Sequence, residues 1–129
     1  MNREIKFRGY NEFEKKWVYG YGLHQSIFID GSSNAYVTAG IREVFIVDKE
    51  SAGQYTSIKD YEGKEIYEGD IVETTRALNH IVGVVTMIKG CWYIQDGKDS
   101  YYRLIPRFGT AENKVIGNIY ENKNLLEEE

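Results

Sequence analysis

Thirteen glycines and a single proline, Pro106, cut this chain into short segments rich in Val, Ile, Tyr, Phe and Trp. No apolar repeat of 3.6 residues persists over a helix length, which removes coiled-coil and Rossmann readings and leaves an all-β or mainly β chain. Alternation places the strands. Residues 4–8, with Ile5 and Phe7 on one face, and residues 17–21 form an expected antiparallel pair around a charged turn at Glu12, Glu14, Lys15 and Lys16. Residues 26–29 read as a short strand and 30–34 as a loop by composition. Residues 42–47 form another strand, whose apolar run from Val44 to Val47 asks for cover on both faces.

The densest signature runs from Gly53 to Val72. Asp60-Tyr61-Glu62-Gly63 reads as a turn opened by Asp and closed by Gly, and the reversal it makes sets Tyr55 and Thr56 near Ile66. Gly69-Asp70 before Ile71-Val72 reads as a corner, with Gly at positive φ and Asp bonding the next backbone amides. A long strand over 80–88 meets a second over 91–95 through Lys89-Gly90, the strongest hairpin signal in the chain. Residues 101–105 and 114–120 complete the strands, and 124–126 form a final helical turn. Five short strands between Ile66 and Tyr120 suit a small SH3-like β-barrel in the C-terminal half, with the N-terminal strands packed on it or extending it. The expected division is an N-terminal β subdomain over 1–52 and the barrel over 53–129, or one continuous domain across both.

At 129 residues the chain is long enough for one real core. Its one cysteine, Cys91, excludes an internal disulfide and a cysteine metal cluster and fits a reducing cytoplasm. There is no apolar run of signal-peptide or membrane-spanning length, so a soluble, untargeted chain is expected. The net charge is −4, with seven basic and seven acidic side chains in the first 50 residues, so the acidic excess is C-terminal. That distribution argues against general nucleic-acid coating, which draws on clustered Lys and Arg.

Three blocks carry a resemblance to a known family. They are Arg3-Glu4-Ile5-Lys6-Phe7-Arg8; Gly53-Gln54-Tyr55-Thr56 with Lys59-Asp60 and the run from Gly63 through Tyr67, Gly69 and Asp70 to Val72; and Val115-Ile116-Gly117-Asn118-Ile119-Tyr120-Glu121-Asn122. In these the chain resembles the YopX family of small proteins encoded by phages and prophages. It departs from the family pattern after Arg8, where Gly9-Tyr10-Asn11 replaces the frequent Ala-Trp-Asp. The resemblance implies a bacterial or phage origin, a cytoplasmic life and a mainly β fold. It brings no established enzymatic activity and no catalytic residues.

The chemistry legible in the residues is sparse. The acidic run Asp60, Glu62, Glu65, Glu68, Asp70 and Glu73 lacks the spacing of a calcium loop and reads as a solvated turn and strand edge. Asp70 stands apart as a local cap of backbone amides. His24 and His80 belong to no recognisable triad or metal spacing, and Cys91 beside Trp92 reads as a half-buried thiol. No catalytic residue, cofactor or metal is expected. Eleven tyrosines are the one compositional pointer to binding, with Tyr55, Tyr61, Tyr67, Tyr101, Tyr102 and Tyr120 in or near the C-terminal half. Their alternative use is as strand residues with hydroxyls in water. Tyr101, Tyr102, Arg103 and Arg107, with Lys98, Phe108 and Lys114, make a stacking platform for single-stranded nucleic acid, with Asp99 and Glu112 interspersed.

Three functions follow in order of support. The first is a non-enzymatic accessory protein acting by protein association, as a homo-oligomer or with a phage or host protein, because two-faced apolar strands over 44–47 and 81–88 exceed what one small domain covers. The second is a nucleic-acid-binding SH3-like module. The third is a metal-dependent hydrolase or nuclease built on the acidic run.

Overall fold

A computed structural model describes residues 4–76, 79–106 and 112–127. The fold is mainly β, in two compact units, Met1–Tyr55 and Thr56–Glu129. No helix among the described residues is long and apolar enough to cross a membrane.

In the first unit, β1 (Phe7–Asn11) and β2 (Lys16–Gly20) pair antiparallel as expected, with Gly9 opposite Val18. The first strand begins three residues later than the alternation of Ile5 and Phe7 implies, and Ile5 is exposed. The decisive residue is Gly9, since a Cβ there would lie 2.6 Å from the Val47 side chain. Only glycine lets the hairpin approach so closely. A second sheet has the order β3 (Gly22–Ile27), β4 (Ser33–Gly40), β5 (Glu43–Val47). The Asp30–Ser32 turn between β3 and β4 is held by the Asp30 carboxylate. Its Oδ1 accepts the Ser32 hydroxyl at 2.6 Å and the Ser32 amide at 2.9 Å, which keeps this carboxyl below its ordinary pKa.

β4 has no counterpart in the sequence reading, although it is the central strand of its sheet. Ala35 and Val37 are buried with Val18 and Val47 in the unit's core. Tyr36, Val37 and Thr38 at its centre are good strand formers, a signal that the sequence reading passed over between the Ser-Asn and Ala-Gly flanks. The expected cover on both faces of 44–47 is not present. Val47 is buried, Phe45 and Ile46 are half-buried, and Val44 is 56% exposed. A 3₁₀ turn, Lys49–Ser51, leads into β6 (Gly53–Lys59), whose Gly53 and Gln54 pair with Arg8 and Phe7.

The second unit opens with the rest of β6 and continues as β7 (Glu65–Tyr67), β8 (Asp70–Arg76), β9 (Asn79–Ile88), β10 (Cys91–Asp96), β11 (Ser100–Arg103), β12 (Glu112–Asn118) and a short α1 (Asn124–Glu127). The five-stranded antiparallel sheet has the order β11-β10-β9-β8-β12. Lys89 at φ 49° and Gly90 at φ 84° make the two-residue hairpin, with Ile88 opposite Cys91, because two positive φ angles match the twist of the flanking strands. Ile81, Gly83 and Val85 point inward to a core of Ile66, Val72, Ile94 and Leu104. Val82, Val84, Thr86 and Ile88 alternate to the other face and stay half-buried, so this long strand is also not covered on both sides. The Asn113 side chain curls the sheet's two ends toward each other. Its Nδ2 donates to the Ile105 carbonyl at 2.6 Å, beyond β11, and its Oδ1 accepts the Thr74 hydroxyl at 2.8 Å from β8.

The Gly69 corner has the expected positive φ, 91°. Its Asp70 works in the opposite direction from expectation, since Oδ2 accepts the preceding amide of Tyr67 at 2.8 Å. A Cβ at Gly69 would meet nothing closer than Ile119 at 3.7 Å, so Gly69→Ala suffers backbone strain alone, about 1 kcal/mol. A Cβ at Gly83 would lie 2.5 Å from the Gln95 carbonyl oxygen. Thermal melts should therefore rank wild type above Gly69→Ala and Gly69→Ala above Gly83→Ala. Equal melting of wild type and Gly69→Ala would remove the left-handed corner.

Candidate interaction surface

The signature residues are occupied with the fold itself. Asp60 is 7% exposed, and its Oδ1 accepts the amides of Glu62 and Lys64, each at 2.9 Å. Oδ2 accepts the amide of Val115 on β12 at 3.1 Å. One carboxylate thus shapes its own turn and fastens it to a strand 55 residues away. Gly63, at φ 87°, closes the turn, and the Thr56 hydroxyl donates to Ile66 O at 2.8 Å as the reversal requires. Asp60 corrects the reading of this acidic run as a solvated turn and strand edge, whereas Asp70, 2% exposed, caps a backbone amide as expected of it. The physical reason is that a carboxylate surrounded by backbone amides is stabilised without water.

Gly53, Gln54 and Tyr55 sit where β6 meets the first unit's chain, and Tyr55 donates its amide to Lys6 O at 2.8 Å. Gly117 leaves room for Asn122 and Leu125, whose side chains would lie within 2.9 Å of a Cβ there. Asn118 caps the following turn: its Oδ1 accepts the Glu121 amide at 2.9 Å, and its own amide donates to Asn122 Oδ1 at 3.1 Å. The closing block is a capped turn leading into α1.

The tyrosines divide by strand alternation. Tyr55 and Tyr67 are core residues, which removes them from any contact surface, and the Tyr67 hydroxyl donates to Glu65 at 2.9 Å. Tyr120 is half-buried and Tyr61 exposed. On β11, Tyr101 and Arg103 share the outer face, opposite Gln95 and Tyr93 of β10, whereas Tyr102 turns inward against the core. Tyr101 and Tyr102 therefore do not form one platform. Tyr101 is 45% exposed and donates its hydroxyl to Lys98 O at 3.0 Å, while Arg107 and Phe108 lie outside the described residues.

His80 makes a cross-strand contact between titratable side chains that the sequence reading missed. Its Nε2 is 3.0 Å from Glu73 Oε2 across β8 and β9, and both groups are well exposed. The signal was the register itself, Thr75 opposite His80, which no local pattern announces. Close to it is a polar depression of about 240 Å³ lined by Tyr61, Glu73, Thr75, Glu112, Asn113 and Lys114. Among the described residues no three His, Cys, Asp or Glu side chains converge as a metal site would need. His24 is exposed on β3, and Cys91 is half-buried.

A family model described as YopX protein matches residues 6–127. The chain belongs to the YopX family. The second and third resemblance blocks fall in elements that this YopX-family chain uses for turns and strand pairing, and Phe7 and Arg8 of the first fall in β1. It is similar to the crystal structure of protein EF1440 from Enterococcus faecalis, at 20% identity and a TM-score of 0.45, over 95% of this chain and 97% of that one. No curated protein gives a significant match.

Asp60→Ala removes the acceptor of three amides, those of exposed Glu62 and Lys64 and of half-buried Val115, and a donor left unpaired away from water costs about 1 to 3 kcal/mol. Asp60→Asn replaces one accepting oxygen by a donor and so repels either the turn amides or Val115. Both variants should lower the urea midpoint strongly, with Asn giving little rescue. Full recovery by Asn would show that only one oxygen matters.

Proposed function

We propose that this YopX-family protein is a phage- or prophage-encoded accessory protein that acts through association with itself and performs no reaction. The observation that carries the reading is where the uncovered apolar surface lies. Ten of the thirteen large apolar side chains found exposed among the described residues fall in the first unit, including Phe13, Tyr21, Ile27, Ile29, Ile41 and Val44. Apolar exposure concentrated in one unit supports an interaction surface there. The buried carboxylates of Asp60 and Asp70 point the same way, because their oxygens accept backbone amides.

Nucleic-acid binding is the second reading, favoured by Tyr93, Tyr101 and Arg103 on one outer face of β10 and β11. Against it stand the net charge of −4 and the neighbouring Asp96 and Asp99. Binding of a single-stranded oligonucleotide that weakens steeply with salt and is lost in Tyr101→Ala would select it.

Light scattering coupled to size exclusion tests the first reading. The purified chain should elute as a discrete oligomer that persists in 1 M salt, because apolar contacts are not screened as charge pairs are. A monomer of 14.9 kDa at about 100 μM would remove self-association.

A further inference from the structure

We infer that the free edge of β3 is a self-pairing site, at which a second copy of this chain adds its own β3 antiparallel about a two-fold axis centred on Gln25. The inference rests on the self-association reading and specifies its interface. β3 is the end strand of its sheet, and five of its six residues are exposed, the exception being half-buried Gly22. Sheet edges are ordinarily protected by charge, proline or a bulge, because a row of unpaired amides and carbonyls templates another strand. Residues 20–29 contain no Lys, Arg, Asp, Glu or Pro, and β3 pairs with β4 without a register shift.

The direction of the amides fixes the register. The Phe28 amide donates to Ser32 O at 2.8 Å, inside the β3–β4 hairpin. Amides alternate in direction along a strand, so Leu23, Gln25 and Ile27 aim their backbone groups at the open edge. Two copies meeting at Gln25 then exchange about six backbone hydrogen bonds. In that register Leu23 faces Ile27 of the second copy, His24 faces Ser26 and Gln25 faces itself, while Tyr21, a bend whose amide donates to Thr38 O at 2.8 Å, and Ile29, in the hairpin turn, flank the paired segment.

This near-palindrome identifies the occupant. Polarity across 23–27 reads the same in both directions, with apolar residues at 23 and 27 and polar ones from 24 to 26. Each apolar side chain at these two positions finds an apolar partner on the second copy, and no like charges meet. Ile27, at 73% exposure, has the most to gain from that cover. Leu23 also lies on the face of Val37 and Phe45, so Ile27 of the second copy would prolong that apolar row beyond the edge. An unrelated strand could share the backbone bonds, whereas a two-fold axis at Gln25 pairs Leu23 with Ile27 twice over.

The test uses the full chain. Gln25→Pro removes an outward amide and leaves the β4 ladder intact, so it should halve the mass of the assembly while the melting curve stays near wild type. In a Cys91→Ser background, Gln25→Cys should form an interchain disulfide on oxidation, since hydrogen-bonded partners lie about 5.5 Å apart, within disulfide reach. Ser26→Cys, facing His24 of the second copy, should not. If Gln25→Pro fails to fold, the contrast between the two cysteine variants decides. A folded Gln25→Pro that keeps the wild-type oligomer, or equal cross-linking at 25 and 26, overturns the β3 interface while self-association stands. A wild type that is monomeric at about 100 μM overturns both.

Discussion

The Asp60 carboxylate is the interaction on which the second unit depends. Two of its bonds stay within the turn and one crosses to β12, so a local reversal and a long-range strand placement share a single side chain. Tyr61 N–H adds a bond to Asn113 O at 2.9 Å beside it, and Asn113 in turn reaches Ile105 and Thr74. The turn, β12, β8 and the segment after β11 are thereby joined by polar groups that are almost wholly buried. Buried polar networks of this kind specify one arrangement, because each unmade bond costs more than a made one contributes.

Glycine provides the complementary constraint, closeness of approach. Gly9 admits Val47 in the first unit, Gly83 admits the Gln95 carbonyl in the second, and Gly117 admits Asn122 and Leu125. At these positions the missing side chain is what allows packing. Positive φ matters at different positions, above all Gly69 and Gly90, where the chain turns. The YopX blocks contain both kinds, Gly69 for a corner and Gly117 for a close contact.

These constraints explain why the family signature tells so little of function. Its Asp60, Asp70, Asn118, Gly63 and Gly69 are consumed in holding turns, and most of the exposed large apolar side chains lie elsewhere. Ten of the thirteen described are in the first unit, where β3 is an uncharged edge strand. In the second, outward residues of β10 and β11 mix Tyr and Arg with nearby Asp.

Local geometry was legible from residue order alone. The Lys89-Gly90 hairpin, the Asp60–Gly63 turn, the Gly69 corner and the pairing of the first two strands each depend on φ preferences or short hydrogen bonds within a few residues. The central place of β4 in its sheet, the inward turn of Tyr102 against the outward turn of Tyr101, and the burial of Asp60 were decided by tertiary contact. Each of these depends on what lies across the sheet, and a residue's own neighbours in the chain carry no record of it. The palindrome around Gln25 shows the division most clearly. Its polarity is written in five consecutive residues, yet only the end position of β3 and the direction of its amides turn that pattern into an edge that a second copy fits.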